Sequence, residues 1–225
     1  IERISAEAEV LPPLIIYKGK QHQRSWYEET GPNNAFFTVS ENRWTNIKIA
    51  LEWLRKNFEP NTRLRANGGY RLLLMDNHSS HATYEFLEYC LENRIVPFFL
   101  PPHATHHLQP LDVGVFSPYQ RYFTEAIDAE TLRSHGALSI GKRNFWPILQ
   151  RARNKALTSP IIKSAWKKSG LVPFNPRVVY SLLPGEHTPE PHGTSSSSIT
   201  PSTPQTPRSI QRLTKKVINE ALTSL

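Results

Sequence analysis

The stretch YRLLLMD at residues 70–76 decides the fold class. Its first six residues are almost continuously apolar, which predicts a β-strand buried on both faces, as in a sheet covered by helices. A helix is predicted over residues 83–93, and the stretch IVPFFL at residues 95–100 predicts the next strand, with Pro97 favouring an edge position. The buried face of the helix comprises Phe86, Leu87, Cys90 and Leu91. A strand, a helix and a second strand in this order predict a layered α/β domain with parallel strand pairing.

Upstream of this unit, the sequence predicts three short strands and one helix. The strands are Glu2–Ser5, Val10–Tyr17 and Phe36–Val39, with a bend at residues 7–9 between the first two. The helix covers residues 46–58, where apolar side chains recur at helical spacing. We expect Thr45 to cap this helix and Pro60 to end it. The glycines of Asn67-Gly68-Gly69 predict a turn that leads into the strand of residues 70–75.

Downstream, helical patterns dominate until the composition changes. A helix rich in aromatic residues begins near Asp112 or Pro118 and ends near Glu130. Two basic helices are predicted at residues 142–156 and 161–169, the second closed by Gly170. The Pro/Ser/Thr-rich segment that follows predicts disorder, and a periodic apolar pattern returns at residues 209–225. We therefore divide the chain into a core at residues 1–130, a basic helical extension at 131–183, a linker at 184–208 and a short amphipathic helix at 209–225.

Composition excludes several classes of protein. The chain has 225 residues, and 38% of them are hydrophobic, which is enough for one globular core. Its single cysteine, Cys90, excludes an intramolecular disulfide framework and a cysteine-based zinc finger. No apolar run reaches the roughly 18–20 residues needed to span a bilayer, so we expect no membrane partner. No secretory leader is visible at Ile1.

The positive charge is concentrated in one region. The chain carries 27 Lys and Arg against 19 Asp and Glu, a formal net charge of +8. Residues 131–185 contain no acid, whereas ten of the bases lie there. A long acid-free stretch favours a polyanionic partner, because neutralising phosphates releases condensed counterions. The alternative is a solvated basic face without a partner.

Two aspartates are the candidates for chemistry. Asp76 directly follows the predicted strand of residues 70–75, at the edge of the sheet where α/β proteins build their sites. Asp112 lies 36 positions later, in a Pro/His-rich loop that feeds a helix. Carboxylates from separate elements can hold Mg²⁺ ions that assist phosphodiester cleavage. The structural alternatives are an Asx-turn for Asp76 and a helix-start acid for Asp112. A third acid is expected, and the residues alone do not identify it.

Five histidines crowd the same loops: His78, His81, His103, His106 and His107. Imidazole suits Zn²⁺, so one interpretation is a zinc hydrolase. The other is that these side chains orient the loops, contact phosphate or hydrogen-bond the aspartates. The spacing of His78 and His81 in a loop is weak evidence for a metal site.

At these residues the sequence resembles a known family. MDNHSSH at residues 75–81 and LPPHATHHLQPLDVGVFSPYQ at residues 100–120 closely resemble the catalytic domain of pogo/Tigger-like transposases of the DDE superfamily, especially fungal ones. The resemblance extends over roughly residues 1–180. It includes VLPPLIIYKGK at 10–20, FFTVSENRWTN at 36–46 and KALTSPIIKSAWKKSGLVPFNP at 155–176.

The resemblance implies a ribonuclease-H-like fold, a nuclear location and metal-dependent cutting and joining of DNA. It makes Asp76 the second acid and Asp112 the third, holding two Mg²⁺ or Mn²⁺ ions in the complete domain. It makes His81 the histidine that closes the loop after the second acid, and we expect Asn77, His78, His106 and His107 to support the site beside it. The resemblance is compatible with a homo-oligomer. The acid-free stretch would contact DNA backbone through Lys142, Arg143, Arg151, Arg153, Lys155, Lys163, Lys167 and Lys168.

The resemblance also predicts a strand that precedes Ile1 and carries the first acid. That strand would lie centrally, between the strands of residues 1–5 and 70–75, and its absence would expose unpaired backbone edges. We therefore expect this chain to fold poorly alone and to lack catalysis. The two hypotheses are a transposase catalytic domain that is active when complete, and a non-catalytic DNA-binding relic or domesticated derivative.

Overall fold

A computed structural model of the chain describes residues 1–23, 26, 34–76, 83–102, 104–135 and 140–182. Four β-strands are present there: β1 Leu14–Lys18, β2 Phe36–Ser40, β3 Arg71–Met75 and β4 Ile95–Phe99. The α-helices are α1 Ile47–Trp53, α2 Glu59–Thr62, α3 Tyr84–Glu92, α4 Thr105–Leu108, α5 Phe116–Arg133, α6 Lys142–Ala156, α7 Ser159–Lys168 and α8 Arg177–Tyr180. Two π-helical segments, Leu54–Phe58 and Leu111–Val115, complete the structure. The predicted mixed α/β class is confirmed, and the predicted linker and amphipathic helix lie outside the described residues.

The β3–α3–β4 unit forms as predicted. β3 and β4 pair in parallel, with Leu73 opposite Pro97. Thr83 caps α3 by accepting a hydrogen bond from the Phe86 amide, and α3 buries Phe86, Leu87 and Cys90 against the strand pair. The prediction that β3 is buried on both faces is wrong. Helix α3 covers one face, whereas Leu72 and Phe98 on the other face keep 66% and 51% of their surface exposed.

The amino-terminal strands are shorter than predicted. β1 begins at Leu14 and pairs in parallel with β2, and the predicted strand at residues 2–5 is reduced to a single antiparallel bridge between Ile4 and Val10. The two prolines at positions 12 and 13 explain the late start, because proline has no N–H to donate to a ladder. The predicted bend is present, with Ala8 at a φ of 69°. Among the described strands, the β1–β2 pair and the β3–β4 pair are separate sheets.

The first helical region differs from its prediction at both ends. Asn46, and not Thr45, is the cap, since its side-chain oxygen accepts a hydrogen bond from the Ile49 amide at 2.9 Å. Pro60 does not end the region, which continues to Thr62. Proline is tolerated here because it lies in the first turn of α2, directly after the π-helical segment, where the hydrogen-bonding pattern changes.

The carboxy-terminal helices pack onto the core and complete it. α6 spans the residues predicted for it, and α7 begins at Ser159, two positions before the predicted start. Trp146 of α6 contacts the β1–β2 pair, and Ala152 of the same helix packs against Tyr119 of α5. Gly170 ends α7 with a φ of +69°, as its residue type predicted. No helix in the described ranges combines the length and apolar character needed to cross a membrane.

Candidate functional site

Asp76 stands at the carboxyl edge of the β3–β4 pair. It directly follows Met75, the last residue of β3, and is exposed. The Leu100 amide donates to the Met75 carbonyl at 2.8 Å, so the end of β4 lies beside the end of β3. Because the two strands are parallel, the chain leaving β4 starts from the same edge as Asp76. That chain carries the second candidate acid.

Asp112 lies in the π-helical segment Leu111–Val115 and is exposed. Its amide donates to the Gln109 carbonyl at 3.0 Å, which holds the start of the segment against the end of α4. A carboxylate stabilised mainly by free amides at a helix start would have a lowered pKa. Asp112 does lie in the first turn of this segment, as the helix-start alternative predicts, but its pKa is raised rather than lowered.

The two acids interact electrostatically. Partial burial is the largest cause of the raised pKa of Asp112, the negative charge of Asp76 is the second, and the charge of His106 opposes both. Like charges disfavour ionisation of a carboxyl group only when they are close together. Asp76 and Asp112, which are 36 positions apart in sequence, are thus near enough in the fold for the charge of one to act on the other.

The histidines divide into described and undescribed residues. His106 is exposed and His107 is half-buried on the short helix α4, with their ring centroids 3.8 Å apart. The predicted supporting residues Asn77, His78 and His81 lie outside the described ranges, as does His103. Within the described ranges, no group of three or more His, Cys, Asp or Glu side chains is placed to hold a metal ion.

Helix α7 packs directly against the segment that carries Asp112. A Cβ atom added at Gly114 would lie 2.8 Å from the Cβ of Ala165 and 2.9 Å from its Cα. Val115, Ile162 and Ala165 are fully buried in this contact. The sequence analysis missed Gly114 and Ala165. The available signal was a glycine in the middle of a helical pattern, which indicates a close packing contact.

The basic residues predicted to bind DNA have different environments. Lys163, Lys167 and Lys168 are exposed on α7, and no acid of the described residues pairs with them. Arg143 is also exposed.

The other four predicted DNA contacts have partners within the chain. Lys142 donates to the Lys18 carbonyl at 2.6 Å and lies 3.4 Å from the centre of the Trp26 ring. Arg151 pairs with Glu130 at 2.6 Å, and Lys155 lies 3.9 Å from Glu125.

Arg153 points into the protein. Its Nε donates to the Glu2 carboxylate at 3.0 Å, and the two side chains are only 13% and 10% exposed. Tyr119 donates to the same carboxylate at 3.1 Å. These bonds join α6, α5 and the amino-terminal segment, so Arg153 is a structural residue in this fold.

Comparisons with known proteins identify one family and several relatives, of which two show the similarity. The profile of the family described as DDE superfamily endonuclease matches residues 1–166. A protein of Cochliobolus lunatus named "MFS-type transporter clz9" is 39% identical over 183 residues, which cover 81% of this chain and 20% of that protein. A Homo sapiens protein named "Pogo transposable element with ZNF domain" is 26% identical over 112 residues, which cover 50% of this chain and 8% of that protein. The chain thus matches a fifth or less of each relative's length. No solved structure matches.

Proposed function

Because this chain belongs to the DDE superfamily of endonucleases and is similar to a pogo transposable element, we propose that it is the catalytic core of a DNA transposase. Its substrate is DNA, and its reaction is the cutting and joining of phosphodiester bonds. The observation that carries this proposal is the electrostatic interaction between Asp76 and Asp112. Two acids on separate elements at one sheet edge are an arrangement that suits the binding of divalent cations.

The proposed fold is ribonuclease-H-like. The parallel β3–α3–β4 unit with an acid directly after β3 supports this assignment. So does the separation of the two sheets, because a ribonuclease-H-like arrangement has a central strand between them.

Asp76 and Asp112 are the proposed ligands of Mg²⁺ or Mn²⁺. Their chemistry fits the ion, since hard divalent cations prefer carboxylate oxygens. A bound cation would also offset the burial and the charge of Asp76 that together raise the pKa of Asp112. A pair of such ions would activate the attacking oxygen and stabilise the leaving one. Asp76 and Asp112 would fix the position of the metal relative to the scissile phosphate, and His106 would limit the negative charge around them. The first acid is proposed to lie on a strand that precedes Ile1.

The exposed side of α7 is the proposed contact for the DNA backbone. Lys163, Lys167 and Lys168 lie on the helix whose buried side touches Gly114, two residues after Asp112. DNA held by these lysines would therefore lie near the two acids. Exposed lysines without a nearby acid are free to neutralise phosphates. Arg153 is excluded from this surface by its internal ion pair with Glu2.

The test is a DNA cleavage assay with Mg²⁺ or Mn²⁺, using the chain joined to the coding sequence that precedes Ile1. We expect Asp76→Asn and Asp112→Asn each to abolish cleavage while DNA binding persists. Glu41→Gln serves as a matched control, because Glu41 is an exposed acid in the turn after β2. Cleavage retained by either aspartate variant would refute the ligand assignment. A nuclear location and a homo-oligomeric assembly are further parts of the proposal, testable by localisation of the tagged protein and by sedimentation.

A second candidate is a non-catalytic DNA-binding relic or domesticated derivative of such a transposase. It is favoured by the lack of a third acid near Asp76 and Asp112 among the residues that the structure describes. Upstream coding sequence distinguishes the two candidates. An aspartate on an apolar strand shortly before Ile1 supports the enzyme, and a stop codon or frameshift supports the relic.

A further inference from the structure

The turn that follows α7, residues 171–175 with the sequence LVPFN, presents apolar side chains to solvent. Phe174 is 80% exposed and Val172 is 44% exposed. A fully solvated phenylalanine contributes little to a core, and large exposed aromatic side chains often mark contact sites.

A hydrogen bond closes the backbone of this turn, since the Asn175 amide donates to the Gly170 carbonyl at 2.7 Å. Gly170 has a φ of +69°, and a Cβ atom added there would lie 2.5 Å from the Asn175 carbonyl oxygen. Only glycine fits at this position. Val178 of α8 also packs against Gly170, at 3.5 Å from the same added atom. The exposed aromatic ring therefore projects from a closed turn between two helices.

Cations flank the turn on both sides. Lys167 and Lys168 form the last turn of α7, immediately before it, and Arg177 begins α8, immediately after it. All three are exposed and have no acidic partner among the described residues. Because α8 packs back on Gly170, Arg177 and the two lysines lie around the same short turn. Their charge favours a polyanion and opposes a basic or neutral protein surface as the partner.

We infer that Phe174 stacks on an unpaired base of a DNA strand whose phosphates lie on Lys167, Lys168 and Arg177. This inference rests on the proposed function and names the form of DNA that the α7 surface takes. An aromatic ring beside a basic track is the arrangement that binds single strands, because every base offers a π-face when it is unpaired. In a duplex those faces are occupied by neighbouring bases, so Phe174 discriminates in favour of the unpaired strand.

The experiment measures binding of fluorescein-labelled single-stranded and duplex DNA of the same sequence by anisotropy, with the chain joined to the coding sequence that precedes Ile1, as in the cleavage test. Base stacking on an aromatic side chain gives roughly a 5- to 150-fold loss on alanine substitution. We expect Phe174→Ala to weaken single-strand binding by that factor and duplex binding by less than about twofold. Phe174→Trp should retain single-strand binding. Trp44→Ala is the matched control, since Trp44 is an aromatic residue 71% exposed in a different turn, and it should bind like the wild type.

A 2-aminopurine base in the single strand gives a direct readout of stacking. Its fluorescence should be quenched by the wild type and by Phe174→Trp, and not by Phe174→Ala. Circular dichroism of each variant verifies folding.

The inference would be overturned if Phe174→Ala bound each form of DNA as tightly as the wild type does. The proposed function would then still stand. An equal loss on single strand and duplex would also overturn the inference. A change in self-association without a change in DNA binding would assign the turn to a protein contact. Failure of the wild type to bind any DNA would overturn the proposed function as well.

Discussion

Replacing Gly114 by alanine tests whether the packing of α7 positions Asp112. An added Cβ would lie 2.8 Å from the Cβ of Ala165 and 2.9 Å from its Cα. Favourable carbon contacts occur at about 3.5–4.0 Å. The shortfall is therefore about 1 Å, and neither Ala165 atom can rotate away, because one is backbone and the other is bonded directly to it. Either α7 or the segment Leu111–Val115 has to move.

Two opposing contributions set the size of the effect on stability. Overpacking a buried contact costs about 1–3 kcal/mol. Replacing a helical glycine by alanine returns about 0.5–1 kcal/mol through a smaller loss of chain entropy. Overpacking is the larger contribution, and the middle of each range gives a net loss of about 1 kcal/mol in the free energy of unfolding. For a chain of this length, that loss lowers the melting temperature by roughly 2–4 °C.

The assay compares thermal unfolding and Mn²⁺-dependent cleavage of the Gly114→Ala variant with those of Gly141→Ala. Gly141 is the matched control because an added Cβ meets nothing within 4 Å there. The cleavage rate of Gly114→Ala should fall by up to about 100-fold, because a displacement of about 1 Å at a reacting centre can reduce a rate by that factor. This loss should exceed what the small decrease in folded protein would cause. If Gly114→Ala unfolds and cleaves DNA as the wild type does, this contact does not position Asp112.

Three further predictions concern charge and burial. Asp112→Asn should slightly raise the melting temperature at pH 7. Burial and the charge of Asp76 raise the pKa of the Asp112 carboxyl in the folded state, so its ionised form destabilises the fold at neutral pH. The advantage should disappear below about pH 3.9, where the carboxyl is protonated in both states, and an advantage that persists there contradicts the electrostatic cause. Arg153→Ala should lower the free energy of unfolding by about 3 kcal/mol in urea titrations, because it leaves the Glu2 carboxylate without its cation in a partly buried site. Arg143→Ala is the exposed control. Equal losses in the two variants would contradict the structural role of Arg153. Cys90 should react with a thiol reagent only on unfolding, because burial raises the pKa of its thiol to about 12, and rapid reaction of the native protein would disprove this.

Local signals were sufficient for most of the secondary structure. The helix at residues 142–156 was predicted with its observed bounds, because its apolar spacing is regular and its ends are clear. The β3–α3–β4 unit followed from a continuous apolar run and a capped amphipathic pattern. Errors occurred where a neighbouring residue competed for the same role. Asn46 displaced Thr45 as a cap, and the π-helical segment before Pro60 allowed the helix to continue.

The candidate site was predicted only in part. The position of Asp76 at a sheet edge could be predicted, because an acid directly after a strand of an α/β unit lies there; its role as a metal ligand stays a prediction. The sequence could not show which basic residues are available to bind DNA. The position of a lysine or arginine in the sequence does not reveal whether an acid lies beside it in space. Only the packed structure separates Arg153, which is bonded to Glu2, from Lys163, which is exposed.

The sequence by itself determined the family and the mixed α/β class, because these depend on residue types at short spacings along the chain, and it nominated Asp76 and Asp112 as ligands, which stays a prediction. The tertiary structure decided the rest. It brought Asp112 within range of the charge of Asp76, packed α7 onto Gly114 and left Phe174 exposed between cations that pair with no acid among the described residues. Each of these features depends on contacts between residues far apart in the chain or on what covers a side chain. Periodicity and composition describe only the neighbours along the chain, so they carry no information about such contacts.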